Sequence, residues 1–170
     1  LGIEAFNCES LQEIFVINEM AHLHGVKANI SVRINPDIDA HTHKYVTTGL
    51  YENKFGISQH EFEKLIEIIQ KSEYINFFGL HFHIGSQITR VEEVYALECK
   101  RVNEIVKYFE RQGLTVKNIN LGGGLGVDYD DPDGGAIADF RTWFKTIAKN
   151  IERRPDQNVH VEPGRSLVAQ

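Results

Sequence analysis

Apolar residues along this chain follow two alternating periods. Short apolar or β-branched runs lie at 3–7, 28–34, 75–83, 116–121 and 159–162, each closed by polar or glycine-rich residues, and they predict five strands. Between them, apolar positions recur three and four apart: Leu11, Ile14 and Phe15; Phe62, Leu65, Ile66 and Ile69; Val91, Val94, Tyr95, Val102, Ile105, Val106 and Phe109; Ile137, Phe140, Phe144, Ile147 and Ile151. That spacing places one apolar stripe on each of four amphipathic helices. Ser10 with Glu13, Ser58 with Glu61 and Thr89 with Glu92 predict capping boxes, in which the hydroxyl takes an orphan N–H and the carboxylate reaches back. Gly25 and Gly113 stand where helix ends want a left-handed residue.

Strict alternation of strand and helix predicts right-handed βαβ units, hence an α/β fold with a parallel sheet covered by helices. Two architectures compete. A doubly wound open sheet is complete with five strands, whereas a TIM-type (β/α)8 barrel needs eight strands and about 250 residues. Each predicted strand delivers a polar or glycine cluster at its carboxyl end: NCES at 7–10, RINPD at 33–37, HFHIGSQ at 81–87, NLGGG at 120–124 and HVEPGR at 160–165. A barrel brings all five to one face, while an open sheet brings together only those at its switch point.

Composition narrows the class. With 170 residues, 42% of them hydrophobic, the chain can bury the core of about one domain. Eighteen Lys and Arg against 24 Asp and Glu leave a net charge of −6, and the absence of a basic run argues against nucleic acid or an anionic membrane as partner. No apolar stretch approaches the roughly 18 residues of a membrane span. Cys8 and Cys99 are too few for a disulfide framework, so packed thiols in a reducing cytoplasm are expected. The chain opens Leu1-Gly2-Ile3 and stops at Val168-Ala169-Gln170 within an apolar run, so an internal piece of a longer protein is expected.

The candidate chemistry lies at the strand ends. Three successive glycines, Gly122, Gly123 and Gly124, let backbone approach an anion or make a tight turn. They form neither a dinucleotide fingerprint, since Val127 stands where the last glycine belongs, nor a P-loop. Ser86, Gly164 and Arg165 add a hydroxyl, an N–H and a guanidinium, which suits a phosphate monoester. His81, His83 and His160 permit a divalent metal site of the barrel-hydrolase type. Alternatively, His83 is an aromatic plate for a flat cofactor whose ring nitrogen Glu162 keeps protonated, or the histidines are satisfied by backbone. Arg33 must bind an acidic group or pair with Glu9 or Glu162. The long segment 37–55, with His41, His43 and Lys54, reads as a functional excursion. The acidic run 128–133 lacks the EF-hand spacing and reads as a solvated turn.

Five motifs in order, RINPD at 33–37, DAHTHKYVTTGLYENKFGI at 39–57, GLHFHIGSQ at 79–87, LGGGL at 121–125 and EPGR at 162–165, resemble the diaminopimelate decarboxylase family, among the pyridoxal-phosphate-dependent alanine racemase-like (fold-type III) barrels. The resemblance runs essentially the whole chain, and the His-Thr-His, Thr-Gly and Lys-Phe-Gly run favours this family over the ornithine and arginine decarboxylases. It implies a partial (β/α)8 barrel over 1–170, these strands being the last five of eight, with N-terminal barrel strands and a C-terminal β domain outside the chain. It implies pyridoxal 5'-phosphate as cofactor, decarboxylation of meso-diaminopimelate to L-lysine and CO2, and a cytoplasmic homodimer with shared active sites. By resemblance His83 stacks on the cofactor ring and Glu162 pairs with its nitrogen; both are catalytic. Ser86, Gly123, Gly124, Pro163, Gly164 and Arg165 hold the cofactor, Arg165 also meets substrate, and Lys54 belongs to the subunit interface. No lysine stands at a strand's carboxyl end, so the family's Schiff-base lysine is not in this chain and the chain alone is expected to be inactive.

Overall fold

The computed structural model describes residues 2–38, 55–131 and 139–168. Strands β1 (Phe6–Cys8), β2 (Ala28–Arg33), β3 (Ile75–His81), β4 (Asn118–Asn120) and β5 (Asn158–His160) alternate with helices α1 (Leu11–Leu23), α2 (Phe62–Lys71), α3 (Val91–Arg111) and α4 (Phe140–Asn150). All strands pair in parallel, and their order across the sheet is their order in the chain. A doubly wound sheet reverses direction at a switch point. Parallel pairing puts all five carboxyl ends on one edge, and the order never reverses, as in successive strands of a barrel.

The strands are shorter than their apolar runs because only part of each run finds a partner. Helix α1 starts as expected: Ser10 accepts from the Glu13 N–H at 3.3 Å and Glu13 reaches back to the Ser10 N–H. The Ser58–Glu61 box forms as well but opens a 3-10 turn, Gln59–Glu61, ahead of α2, with the Ser58 N–H and hydroxyl both meeting Glu61 Oε2 at 3.3 Å. The Thr89 box is not formed; α3 is entered through Arg90, whose side chain makes no cap and instead pairs with Glu93 at 2.6 Å. Helix α4 is capped by Asp139, which accepts from the Thr142 N–H at 2.9 Å. Ile151 falls just beyond its last residue, and Ile137 lies outside the described residues.

The two faces of the sheet differ in chemistry. Val32, Leu80 and Ile119 stand in register and are fully buried in the core shared with the helices; each such side chain is worth about 1.5–3 kcal/mol. The opposite face carries Ser31, Gly79, Asn118 and Asn158 in one row and Arg33, His81, Asn120 and His160 in the next. A bulge makes this possible. Ile30 pairs with Phe77 but Ser31 pairs with Gly79, leaving Phe78 without a register partner on β2. Strict alternation would put Phe77 and His81 on one face; the extra residue lets Phe77 stack on Phe109 of α3, 6.4 Å between centroids, while His81 turns to the polar side.

Helix α3 covers the sheet with Val94, Tyr95, Cys99, Val102, Val106 and Phe109 and packs on α4 through Tyr95 and Trp143, 5.4 Å apart. Cys8 and Cys99 are buried free thiols, and burial pushes both pKa values up to about 12, as befits packing groups. At the free β1 edge, Phe6, Phe15, Val16, Met20 and Leu23 are exposed. No helix among the described residues is long and apolar enough to cross a membrane.

Candidate active site

The loops after β3 and β4 are stapled together before they offer anything to a ligand. Ile88 donates to the Gly124 carbonyl at 2.8 Å and accepts from Gly126 at 2.9 Å. Gln87, held at φ +58°, takes the Val127 N–H on Oε1 at 3.2 Å and gives its amide to the Val127 carbonyl. From below, the buried Tyr95 hydroxyl donates to the Gly123 carbonyl at 3.0 Å, so α3 fixes the height of the glycine loop. The glycines are there because backbones pass too closely for side chains. A Cβ on Gly123 would sit 1.8 Å from the Glu162 carbonyl oxygen, and one on Gly124 would sit 2.1 Å from that of Gly85. Gly164 is different: at φ +58° it faces open space, with nothing within 4 Å of a Cβ.

On this platform the predicted residues converge. The Gly123 N–H donates to His83 Nδ1 at 3.3 Å. An accepting Nδ1 puts the proton of a neutral imidazole on Nε2 and fixes the plane of the ring. The Glu162 carboxylate, half exposed beyond β5, accepts from Asn120 Nδ2 at 2.8 Å on Oε1, and its Oε2 lies 3.6 Å from His81 Nε2. Burial holds the His81 pKa below the ordinary imidazole value, although the Glu162 charge pulls the other way. Desolvation thus favours the neutral imidazole of His81 beside the Glu162 carboxylate. Arg165 donates to Ser86 Oγ at 2.5 Å and to the Tyr129 hydroxyl, with its guanidinium over the Tyr129 ring. Pro163 opens the 3-10 turn Gly164–Leu167, and its carbonyl accepts from Ser166 at 2.7 Å.

The metal alternative gains no geometry. His160 Nε2 donates to Asn118 Oδ1 at 3.1 Å, and among the described residues no group of three or more His, Cys, Asp or Glu side chains is placed to hold an ion. Arg33 pairs with Glu9 at 2.5 Å and lies over Phe55, which resolves its partner in favour of Glu9. Asp128 Oδ1 accepts from the N–H groups of Asp130 and Asp131 at 2.9 and 3.1 Å, the solvated turn expected there. His41, His43 and Lys54 lie outside the described residues. Two residues with contacts at the site had no assigned role in the sequence: Tyr129, hidden in an acidic run, and Asn120, whose significance depends on which strand lies beside it; His81, read there as a candidate metal ligand, lies instead against the Glu162 carboxylate.

A planar, polar-rimmed anion would meet here an imidazole plate and a hydroxyl from the loop after β3, and a carboxylate and a guanidinium from the loop after β5. The residue set fits a pyridoxal phosphate in kind: Gly164 leaves room for an approaching group, and the Arg165 and Ser86 donors suit a phosphate. Comparison with known proteins decides the family. The profile for the pyridoxal-dependent decarboxylase, pyridoxal binding domain, matches residues 1–169. The chain belongs to that family. Among curated decarboxylases, the diaminopimelate decarboxylase of Bacteroides thetaiotaomicron is 47% identical over 169 residues, covering 99% of this chain and 44% of that protein. The diaminopimelate decarboxylase of Haemophilus influenzae is 36% identical, covering 98% and 39%. A crystal structure of a mutant Helicobacter pylori diaminopimelate decarboxylase complexed with L-lysine superposes with a TM-score of 0.82 at 36% identity, over 98% of this chain and 41% of that one. This decarboxylase domain is thus a TIM-type barrel fold, and the chain spans less than half the length of those relatives.

Proposed function

We propose that the full-length protein carrying this domain decarboxylates meso-diaminopimelate to L-lysine and CO2 with pyridoxal 5'-phosphate, and that these are the last five of eight barrel strands. The observation that carries this is the meeting of His83, Glu162 and the Ser86–Arg165 pair at one edge of the sheet. His83 offers its ring face to the pyridine. Glu162 faces the ring nitrogen and holds a proton on it. Ser86, Gly124, Gly164 and Arg165 surround the phosphate, with Gly123 and Pro163 shaping the loops, and Arg165 also reaches toward substrate. When bound, the cofactor withdraws electrons from the bond to the departing carboxylate.

The His-Thr-His, Thr-Gly and Lys-Phe-Gly run supports diaminopimelate over other basic amino acids, as does the name shared by the relatives above. The exposed apolar side chains of β1 and α1 support further barrel elements against that edge. A cytoplasmic homodimer with shared sites completes the reading. The test is direct: visible cofactor absorbance together with CO2 release from meso-diaminopimelate supports it, whereas stoichiometric zinc without absorbance overturns it.

A further inference from the structure

Glu162 reaches out from an exposed position past β5, where a lone carboxylate would be free to rotate and to orient toward water. Two side chains from neighbouring strands restrain it. Asn120 of β4 gives its amide N–H to Oε1 at 2.8 Å, while its own Oδ1 accepts from the Gly122 N–H at 2.8 Å, so the amide is fixed at both ends and cannot flip. His81 of β3 is 7% exposed, and among the described residues neither ring nitrogen has a hydrogen-bond partner. Glu162 Oε2 lies 3.6 Å from its Nε2. A buried imidazole N–H left unpaired is costly, and a movement of a few tenths of an ångström by Oε2 would supply its acceptor.

We propose that Asn120 and His81 are positioning residues that hold the two oxygens of Glu162, Asn120 on Oε1 and the His81 Nε2–H on Oε2, so that the carboxylate is aimed at a heteroaromatic ring nitrogen. The inference rests on the assignment of Glu162 to that nitrogen. The device spans three adjacent strands: the bulge at Phe78 turns His81 to the polar face, and the parallel register places His81 beside Asn120. A neutral imidazole donor suits this task, since a charged one would compete with the protonated ring for the same carboxylate.

The experiment uses the full-length holoenzyme with ring-15N pyridoxal phosphate, reading the protonation of the ring nitrogen by its 15N shift, and the cofactor's dissociation constant. Glu162→Gln is the reference and should remove the ring proton. Asn120→Leu and His81→Leu should each lower the protonated fraction and weaken cofactor retention by about tenfold, the scale of one hydrogen bond to a charged group. His81→Gln, which keeps a donor near the Nε2 position, should restore both. A packing role alone would not move the 15N shift or be rescued by Gln. If Glu162→Gln changes nothing, the assignment of Glu162 fails and this inference with it; if only the Asn120 and His81 variants match wild type, this inference alone is overturned. Should the Leu variants fail to fold, the tautomer of His81 in the wild-type holoenzyme decides: a proton on Nε2 sustains the proposal, and one on Nδ1 overturns it.

Discussion

Asn120 Nδ2 and Glu162 Oε1 lie 2.8 Å apart across the β4–β5 boundary, although 42 residues separate them in the chain. The pair links the last residue of one strand to the carboxylate beyond the next, because in a parallel sheet Asn120 is in register with His160 and Glu162 lies two residues further on the same face. Glu162→Gln keeps this hydrogen-bonding shape and removes only the charge. In the full-length enzyme it should leave cofactor bound and slow decarboxylation about 100- to 1,000-fold, the usual scale for losing a preorganised charge. Steady-state CO2 release checks this, and an unchanged rate would remove the role given to Glu162.

Arg165 and Ser86 form the other pole of the site, 2.5 Å apart from strand ends 79 residues distant. Arg165→Ala should weaken binding of pyridoxal phosphate about 10- to 100-fold, as expected for charge-assisted hydrogen bonds. Binding of unphosphorylated pyridoxal should scarcely change. Fluorescence titration of apoenzyme with both compounds distinguishes a phosphate contact from general damage to the site, since damage would weaken both equally.

Tyr95 supports the glycine loop through its hydroxyl, which donates to the Gly123 carbonyl at 3.0 Å in a buried setting. Tyr95→Phe keeps the ring packed on Trp143 and leaves that carbonyl unpaired, at a cost of about 1 to 3 kcal/mol. Urea unfolding measures the loss. Because Gly123 also orients His83, cofactor binding should weaken in the same variant.

Glu98 lies on the buried face of α3, wholly inaccessible, with neither carboxylate oxygen hydrogen-bonded among the described residues. Burial pushes its pKa well above the usual carboxylate range. The folded state therefore keeps a proton that the unfolded chain releases above its own pKa of about 4.3, so this group's contribution is present below that pH and is lost as pH rises. Glu98→Leu should stabilise the protein by about 1 to 4 kcal/mol at pH 8, and by less at pH 5. Thermal midpoints at the two pH values test this; an identical gain at both would show that Glu98 does not exchange a proton on unfolding in that range.

Much of the site was legible because its motifs are local. HFHIGSQ, LGGGL and EPGR each deliver neighbouring residues to one strand end, and Ser86, His83, Glu162 and Arg165 meet there. Less legible were the residues whose roles are non-local. Asn120 is an ordinary strand-end asparagine until β5 lies beside it, and Tyr129 is one residue of an acidic turn until Arg165 reaches it from 36 positions away. The Thr89 cap failed for a local reason, since Arg90 enters α3 at φ −87° and ψ 66° with its guanidinium turned to Glu93. His81 was legible as a histidine of the β3 edge, but the two-residue period alone placed it with His83, whereas β3 ends at His81 and the Gly123 N–H sets the orientation of His83.

Period and punctuation by themselves determined the alternation of five strands with four helices, the buried apolar stripes of α2 and α3 and the position of α1's start, because these depend on residues within a few positions of one another; Phe15 of α1 and Phe144 of α4, read into the same stripes, are exposed. The choice of barrel order over a reversing sheet, the face that His81 occupies and the partners that restrain Glu162 were decided only in the tertiary structure. Those depend on parallel register between strand residues 39 to 48 positions apart and on one bulge at Phe78. A bulge shifts every later side chain on its strand by one face, and nothing in the two-residue pattern of the chain marks where it falls.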